Sequence, residues 1–444
     1  MVAEVSKQTI SQPASKIRVI MSAFPLPKLP LLPIISIIRL MKTDEHDNNS
    51  FRKDREWTNY ALTNSLQTFY YFFRIKLALS STKMEQNIKI SRIKTENPHI
   101  WFSRENSTIG IFAPEKTALY CDETNPNLPA NEAHVTRETM AKWAHYDSVY
   151  VNLGAIFEKI QNLYIFERLT VAVIFPDMNG VSKQKDNSVL LSALSKCTCL
   201  ILHGKWANSE DLKFVLENTP RNRKLNIQHL AIPADFQRQE MFNFKMMICN
   251  DSSWIRLKDL YSIRNLSNIE LRKAKFTLQE ANQFIKYWVD NKEDMFLKLE
   301  IDGYGEEGKE SDPDKALRIM FDGVLALAVR KRGIYVKSAP GTNKTRPFLT
   351  MTPFSNGINL RTSSFEDNCC KDCGKTMITN ETDKILELLQ KKRELEGMLE
   401  IEEFRNREET VAEIQREEET LVEMKVEFKN GMACVVEEGG VQQA

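Results

Sequence analysis

Apolar and polar positions along the middle of the chain predict strands and helices in turn. Short apolar runs indicate buried strands, and each is followed by apolar residues at three- and four-residue spacing, which indicates an amphipathic helix. The expected strands start near residues 169, 199, 225, 268 and 296. Because one strand–helix unit cannot bury its own apolar faces, neighbouring units must stack. We therefore expect an α/β domain over residues 84–360, with a repeated strand–helix (leucine-rich-repeat-like) array favoured over a closed α/β layer.

Local signals predict several element boundaries. Ser209 is expected to cap the helix SEDLKFVLENTP, and Thr277 to cap TLQEANQFIKYWV, because a side-chain oxygen can accept a hydrogen bond from the first turn. Nearer the N-terminus, Ile88–Ile93 alternates apolar and polar residues, which predicts a half-buried strand. Two further short strands are predicted at Ile109–Phe112 and Ala118–Cys121.

The run FPLPKLPLLPIISIIRLM, Phe24–Met41, differs from the rest of the chain. Its prolines fix φ and remove backbone donors, so the first half should be extended, whereas the apolar residues after Pro33 follow helical spacing. This helix is about half as long as a membrane span. It also runs into a charged stretch, where a signal peptide would have a cleavage site. We expect a short helix that docks on another protein.

Charge and cysteine usage favour an intracellular protein without a nucleic-acid or membrane partner. The chain has 61 basic and 60 acidic residues, so no overall field attracts phosphate groups. The basic stripe Arg330–Lys337 is better explained as an edge strand with solvated lysines. Eight cysteines in 444 residues do not make a disulfide scaffold. We therefore expect reduced thiols and a cytoplasmic or nuclear localisation.

Motifs for catalysis or cofactor binding are not found. The chain has no glycine-rich phosphate loop followed by Lys-Ser or Lys-Thr and no Gly-x-Ser-x-Gly elbow, so we expect neither enzymatic activity nor a cofactor. His203 and His229 end adjacent predicted strands, where packing or a surface hydrogen bond is the commoner role. One cysteine cluster has half the spacing of a zinc site, but only Cys434 follows it, so no metal site is predicted. The cluster consists of Cys369, Cys370 and Cys373.

Residues 381–430 are rich in Glu, Lys, Arg and Leu, which predicts a long charged helix. Its apolar stripe changes register, so a solvated single helix and a short coiled coil that mediates self-association are both open. The stripe consists of Ile385, Leu388, Leu395, Leu399, Ile414, Leu421 and Phe428. Residues 361–380 are expected to form a linker, and residues 1–22 and 431–444 disordered tails.

Phe24–Met41 resembles the first half of an F-box, from the nematode-type family that pairs an F-box with a type 2 F-box-associated domain. The resemblance implies binding to the Skp adaptor of an SCF (Skp–cullin–F-box) ubiquitin ligase. The residues implied in that contact are Phe24, Pro25, Leu29, Pro30, Ile34, Ile35, Ile38 and Met41. A polar insert, residues 42–56, precedes the next apolar segment, so the F-box is expected over residues 23–82 and its activity stays open.

LKDLYSIRNLSNIELRKAKFTLQEANQFIKYWVDN, Leu257–Asn291, resembles the type 2 F-box-associated domain, with a strand followed by a Thr-capped helix that ends near Trp288. The resemblance implies a non-enzymatic, substrate-recruiting adaptor. Its F-box would bind the Skp adaptor and cullin complex, and its α/β domain would hold an unknown target protein. The alternative is a non-catalytic repeat scaffold that dimerises through its C-terminal coiled coil and whose F-box is inactive.

Overall fold

A computed structural model provides the fold in two compact units, Met1–Leu169 and Thr170–Ala444, which are described in turn. The run Phe24–Met41, the insert 42–56 and the cysteines at 369, 370 and 373 lie outside the described residues. The described residues are 78, 82–90, 93–95, 98–103, 108–110, 118–120, 149–183, 187–302, 313–329, 333–354, 357–364, 379–400, 407–429 and 431–435.

The first unit combines helices with short strands. Its elements are α1 (Thr82–Ile90), β1 (Ile93–Thr95), β2 (His99–Phe102), β3 (Thr108–Gly110), β4 (Ala118–Tyr120), α2 (Val149–Leu163) and β5 (Tyr164–Phe166). Strands β2, β3 and β4 pair antiparallel, and β1 pairs parallel with β5. The strand predicted over Ile88–Ile93 is wrong, because helix α1 extends to Ile90. Asn87 and Ile88 are both buried and the next two residues are both exposed, a pattern that does not alternate as a strand requires.

The second unit is a mixed α/β structure built on a large sheet. Its first half comprises β6 (Thr170–Phe175), α3 (Ser188–Lys196), β7 (Cys199–Gly204), α4 (Ser209–Glu217), β8 (Lys224–Gln228), β9 (Met246–Cys249), α5 (Leu257–Leu260), β10 (Leu266–Leu271), α6 (Leu278–Asp290) and β11 (Phe296–Asp302). Its second half comprises α7 (Pro313–Met320), β12 (Ala326–Val329), β13 (Gly333–Lys337), β14 (Phe348–Phe354), β15 (Gly357–Ser363), α8 (Asn380–Leu399), α9 (Arg407–Glu423), β16 (Val426–Lys429) and β17 (Met432–Val435). Two 3-10 helices, Val181–Lys183 and Arg238–Asn243, lie in loops of the first half.

The twelve strands of the second unit that the structure describes have the order β16-β17-β12-β13-β14-β15-β11-β10-β9-β8-β7-β6. Strands β6 to β11 are parallel neighbours in chain order. All of them except β9 begin close to a predicted start. Strand β9 was missed, because four residues after a 3-10 helix give too short a pattern. The predicted array does not extend to β12–β15, which are consecutive antiparallel strands.

The parallel half of the sheet buries one face completely. Neighbouring residues on this face have side chains that are 0 % exposed: Leu200, Leu225, Met247, Ile269, Leu299 and Leu360. Helices α3, α4 and α6 bury apolar residues such as Leu194, Leu216 and Phe284, which supply the other half of this core. Phe284 stacks on Phe296 with ring centroids 6.0 Å apart. Residues between these buried positions along each strand lie on the opposite face, because successive side chains alternate.

Side-chain caps fix where two of the helices begin. Thr277 caps α6 as predicted, since its Oγ1 accepts a hydrogen bond from the Glu280 backbone N–H at 3.1 Å. The cap predicted at Ser209 is wrong by one residue. Asn208 has the extended backbone of a cap, and its side-chain oxygen accepts from the Asp211 N–H at 2.8 Å.

The helix predicted over residues 381–430 is wrong as one element, because α8 and α9 form a helical hairpin that packs on the sheet and is followed by β16. Of the apolar side chains that suggested a coiled coil, Ile385 and Leu421 belong to a buried cluster with the sheet, and Leu388 packs against it. The buried cluster contains Leu327, Tyr335, Phe348, Ile385, Leu386, Leu389, Leu421 and Val426. Two boundaries change as well: residues 361–363 belong to β15, so the predicted linker starts too early, and Met432–Val435 forms β17 where a disordered tail was expected.

Strand β13 is an interior strand, so the edge strand predicted over Arg330–Lys337 is wrong. It pairs with β12 on one side and β14 on the other. Tyr335 is 1 % exposed because the helical hairpin covers it. Lys337, expected to be solvated, donates to Asp383 at 2.5 Å and to Glu387 at 2.8 Å, and so ties α8 to the end of β13.

Candidate protein-recognition surface

The parallel sheet has a second face that no helix of the first half covers, and we call this surface the open face. Two rows of half-buried side chains run across it, each linking residues that are in register on neighbouring strands. The basic row consists of Lys224, Met246, Asn268, Lys298 and Arg361. The acidic row consists of Asn226, Ile248, Glu270, Glu300 and Asn359.

Both carboxylates of the acidic row have partners within the face. Glu270 accepts hydrogen bonds from Asn268 Nδ2 at 3.0 Å and from Arg272 at 3.4 Å. Glu300 pairs with Lys298 Nζ at 2.5 Å and accepts from Asn359 Nδ2 at 3.2 Å. These contacts offset the repulsion between two carboxylates that lie directly opposite each other on neighbouring strands.

Two amide oxygens of the open face are shielded from solvent and have no donor among the described residues. They are Asn226 Oδ1 and Asn268 Oδ1. A buried acceptor without a hydrogen bond costs about 1–3 kcal/mol, so such atoms usually have a partner. His203, on the same side of β7, likewise has a shielded Nδ1 without a partner in the described part of the chain.

The open face ends where the side chains along the basic row change from polar to apolar. In register beyond Arg361, the basic row continues into Thr350, Tyr335 and Leu327. Tyr335 and Leu327 belong to the cluster buried under the helical hairpin. The hairpin therefore covers the apolar part of this face, and the polar part from β7 to β15 is left uncovered by it.

Trp206 lies beside the carboxyl ends of the parallel strands, which is the edge where open α/β sheets bind ligands. It is 52 % exposed and bridges to Ala231 on the neighbouring strand extension. His203 and His229 meet nearby in a T-shaped contact with ring centroids 6.4 Å apart, so the predicted proximity of these residues is confirmed. No group of three or more metal-ligating side chains occurs within the described segments.

Residues 235–301 match a family model described as F-box associated. The F-box-associated segment contains β9, β10 and β11, which carry the centre of both rows of the open face, together with α6. No curated protein and no solved structure matches the chain. The resemblance seen at Leu257–Asn291 is thus supported, whereas the F-box motif is not part of the match.

Polar contacts hold the F-box-associated segment to the next loop. Lys344 Nζ lies 3.9 Å from the ring centroid of Trp288 and donates to the backbone oxygens of Trp288 and Val289, which end helix α6. Burial lowers the pKa of Lys344 to about 8. Arg238 donates to the Trp254 carbonyl oxygen at 2.9 Å and lies 3.9 Å from Asp259. These contacts make the segment a rigid support for the open face.

The predicted Skp-binding residues lie outside the described residues, so the structure brings none of them into a site. The residues of the open face were not predicted, although period-two polar positions such as Asn226, Asn268 and Lys298 give a signal. A parallel sheet covered on both faces would have apolar residues there. No described helix is long and apolar enough to cross a membrane. Burial raises the pKa of Cys197 and of Cys249 to about 12, which keeps both thiols protonated at neutral pH.

Proposed function

We propose that this chain is a non-enzymatic, substrate-recruiting adaptor of an SCF-type ubiquitin ligase. In this proposal, Phe24–Met41 binds the Skp adaptor and the open face holds the target protein. The observation that carries the proposal is the F-box-associated match over residues 235–301, which coincides with strands that have one largely buried apolar face and a second face with half-buried polar side chains.

The open face suits recruitment for two physical reasons. Its side chains stand on paired strands, so the backbone beneath them is ordered before a partner arrives and little backbone entropy is lost on binding. Its acceptors at Asn226 and Asn268 are shielded and have no donor among the described residues, so only a partner that reorients these side chains gains their hydrogen bonds, which favours a complementary partner over others.

Co-purification with the Skp adaptor tests the first half of the proposal. The full chain should retain the adaptor, and Leu29→Ala plus Pro30→Ala should lose it, because a few apolar anchors carry most of the energy of such an interface. Ile10→Ala plus Pro13→Ala is the matched control, with one aliphatic residue and one proline changed nearer the N-terminus. Equal retention by both double variants would refute the proposed contact.

Partner identification by mass spectrometry tests the second half. The wild-type chain and the variant Asn226→Ala plus Asn268→Ala are compared after proteasome inhibition, with Asn243→Ala plus Asn343→Ala as a control on exposed asparagines away from the two rows. Proteins recovered with the wild type and the control should be depleted with the open-face variant. If all three chains recover the same proteins, target binding lies elsewhere.

A further inference from the structure

We propose that the open face recruits an extended, acidic polypeptide segment that crosses the strands along the basic row. Two acidic side chains of this segment, about six residues apart, would pair with Lys224 and Arg361. The inference rests on the proposed role of the open face as the recruiting surface, and it names the chemistry of the target.

The charges of the open face are unevenly satisfied. Both glutamates of the acidic row have basic partners, and Lys298 is already engaged by Glu300 at 2.5 Å. By contrast, no carboxylate of the described residues lies within ion-pairing distance of Lys224 or Arg361. Within the basic row, the unmatched charge is therefore positive, and an acidic partner complements it.

The spacing follows from the register. Lys224 on β8 is joined to Arg361 on β15 through Met246, Asn268 and Lys298, which makes four strand-to-strand steps. At about 4.8 Å a step, the two cations stand roughly 19 Å apart along the row. An extended chain advances about 3.3 Å per residue, so roughly six residues cover this distance.

The middle of the row fits a polypeptide backbone. Asn268 is the third of the five positions, and its Oδ1 is a shielded acceptor without a donor in the described part of the chain. On binding, the Asn268 side chain must turn outward for a backbone N–H of the crossing segment to supply that donor. Met246, next in the row and half-buried, offers an apolar and adaptable contact to a side chain of the segment.

A basic segment fits this surface less well. To reach Glu270 or Glu300, an incoming cation would have to displace Arg272 or Lys298, and the displaced cation would lose its partner. It would also approach Lys224 and Arg361, which adds like-charge repulsion. The acidic row is thus better explained as a support that holds the side chains of the face in place.

Selection from a displayed library of random 12-residue peptides tests the inference on the full-length chain. The wild type should enrich peptides with two acidic residues five to seven positions apart, and Lys224→Glu plus Arg361→Glu should not enrich them. Lys213→Glu plus Lys258→Glu is the control, with the same charge change on helices α4 and α5, and it should select as the wild type does. Enrichment of basic peptides, no enrichment, or the same acidic peptides on the row variant would overturn the inference.

Direct binding of designed probes checks the spacing independently. Fluorescein-labelled Glu-Ser-Gly-Ser-Gly-Ser-Glu should bind the wild type at least tenfold more tightly than the same peptide with lysines or with its two glutamates adjacent. Binding should weaken in high salt, because exposed charges are screened. Equal affinity for all three probes would refute the inference. Urea unfolding midpoints that are the same for the wild type, the row variant and the control variant show that the substitutions leave folding intact. Retention of the Skp adaptor is a separate measurement, so a failure here is distinguishable from a failure of the adaptor function.

Discussion

Asp211 in helix α4 holds the loop that follows strand β6, and its replacement gives the sharpest test of the fold. The residue is 1 % exposed. Its carboxylate accepts from the backbone N–H of Gly180 at 2.5 Å and of Ser182 at 2.7 Å, and from the Asn208 side chain. Burial alone would raise the pKa of this carboxyl, but these donors outweigh burial and lower the pKa below its ordinary value.

Asp211→Asn keeps the size of the side chain and removes one acceptor. The new amide N–H₂ then faces at least one backbone N–H, which leaves a buried donor unpaired at about 1–3 kcal/mol, and the hydrogen bonds that remain lose their charge assistance at about 1 kcal/mol. The expected loss in unfolding free energy is therefore about 2–4 kcal/mol. Glu210→Gln is the control, because this neighbour is 69 % exposed and forms a surface ion pair with Lys183.

Urea unfolding of both variants measures the difference. Since the folded pKa of Asp211 is lowered, its contribution is complete above the unfolded value of about 3.9 and disappears as pH falls further. The gap between wild type and Asp211→Asn should stay constant from pH 8 to pH 5.5 and narrow in stronger acid. A loss no larger than that of Glu210→Gln, or a gap that already narrows between pH 7 and 5.5, would contradict this account.

Three further predictions concern other contacts. Gly204→Ala should lower the free energy of urea unfolding by more than about 3 kcal/mol, because φ is 129° and the new Cβ would lie 1.7 Å from the Phe175 oxygen. Gly397→Ala in helix α8 is the control and should raise it by about 0.5–1 kcal/mol. Leu386 is 0 % exposed under the hairpin, so Leu386→Ala should lower the free energy of unfolding by about 2–5 kcal/mol and speed proteolysis of α8. Leu395 is half-buried, so Leu395→Ala should lower it by less than about 1 kcal/mol. Equal losses would show that the buried cluster does not anchor the hairpin. Because burial lowers the pKa of Lys344 to about 8, the unfolded state holds this proton at higher pH than the folded state, so stability should rise between pH 8 and 10 in the wild type and not in Lys344→Met.

The parallel half of the fold was predictable because each strand–helix unit carries its pattern locally. Thr277 and Glu280 form the α6 cap within a single turn, and the strand predicted to start near residue 296 begins at Phe296. The open face could not be predicted, since single-strand patterns do not reveal which polar positions come into register. Lys224 and Arg361 are far apart in the sequence, and only the four successive strand pairings place them in the same row.

The prediction for the C-terminal elements was wrong because the local pattern there is misleading. The sequence from residue 381 onward has the composition of a solvated helix, and its sparse leucines look like an incomplete coiled-coil seam. Their partners are Leu327, Tyr335 and Phe348, which come from strands that precede the hairpin in the chain. A helix that packs on a sheet needs only a narrow apolar stripe, so periodicity alone cannot separate the two cases.

Pairing of β12 with β17 makes folding of the sheet depend on a segment that is synthesised much later than β12. Leu327 pairs with Ala433, so strand β12 emerges from the ribosome long before its neighbour. Until then β12 has an open edge, and the apolar surface at Tyr335 is uncovered, which is the kind of surface that chaperones and proteases recognise. A chain that terminates before residue 380 would keep this surface permanently. Copies of the chain that stop before the helical hairpin are thereby marked by an exposed apolar surface.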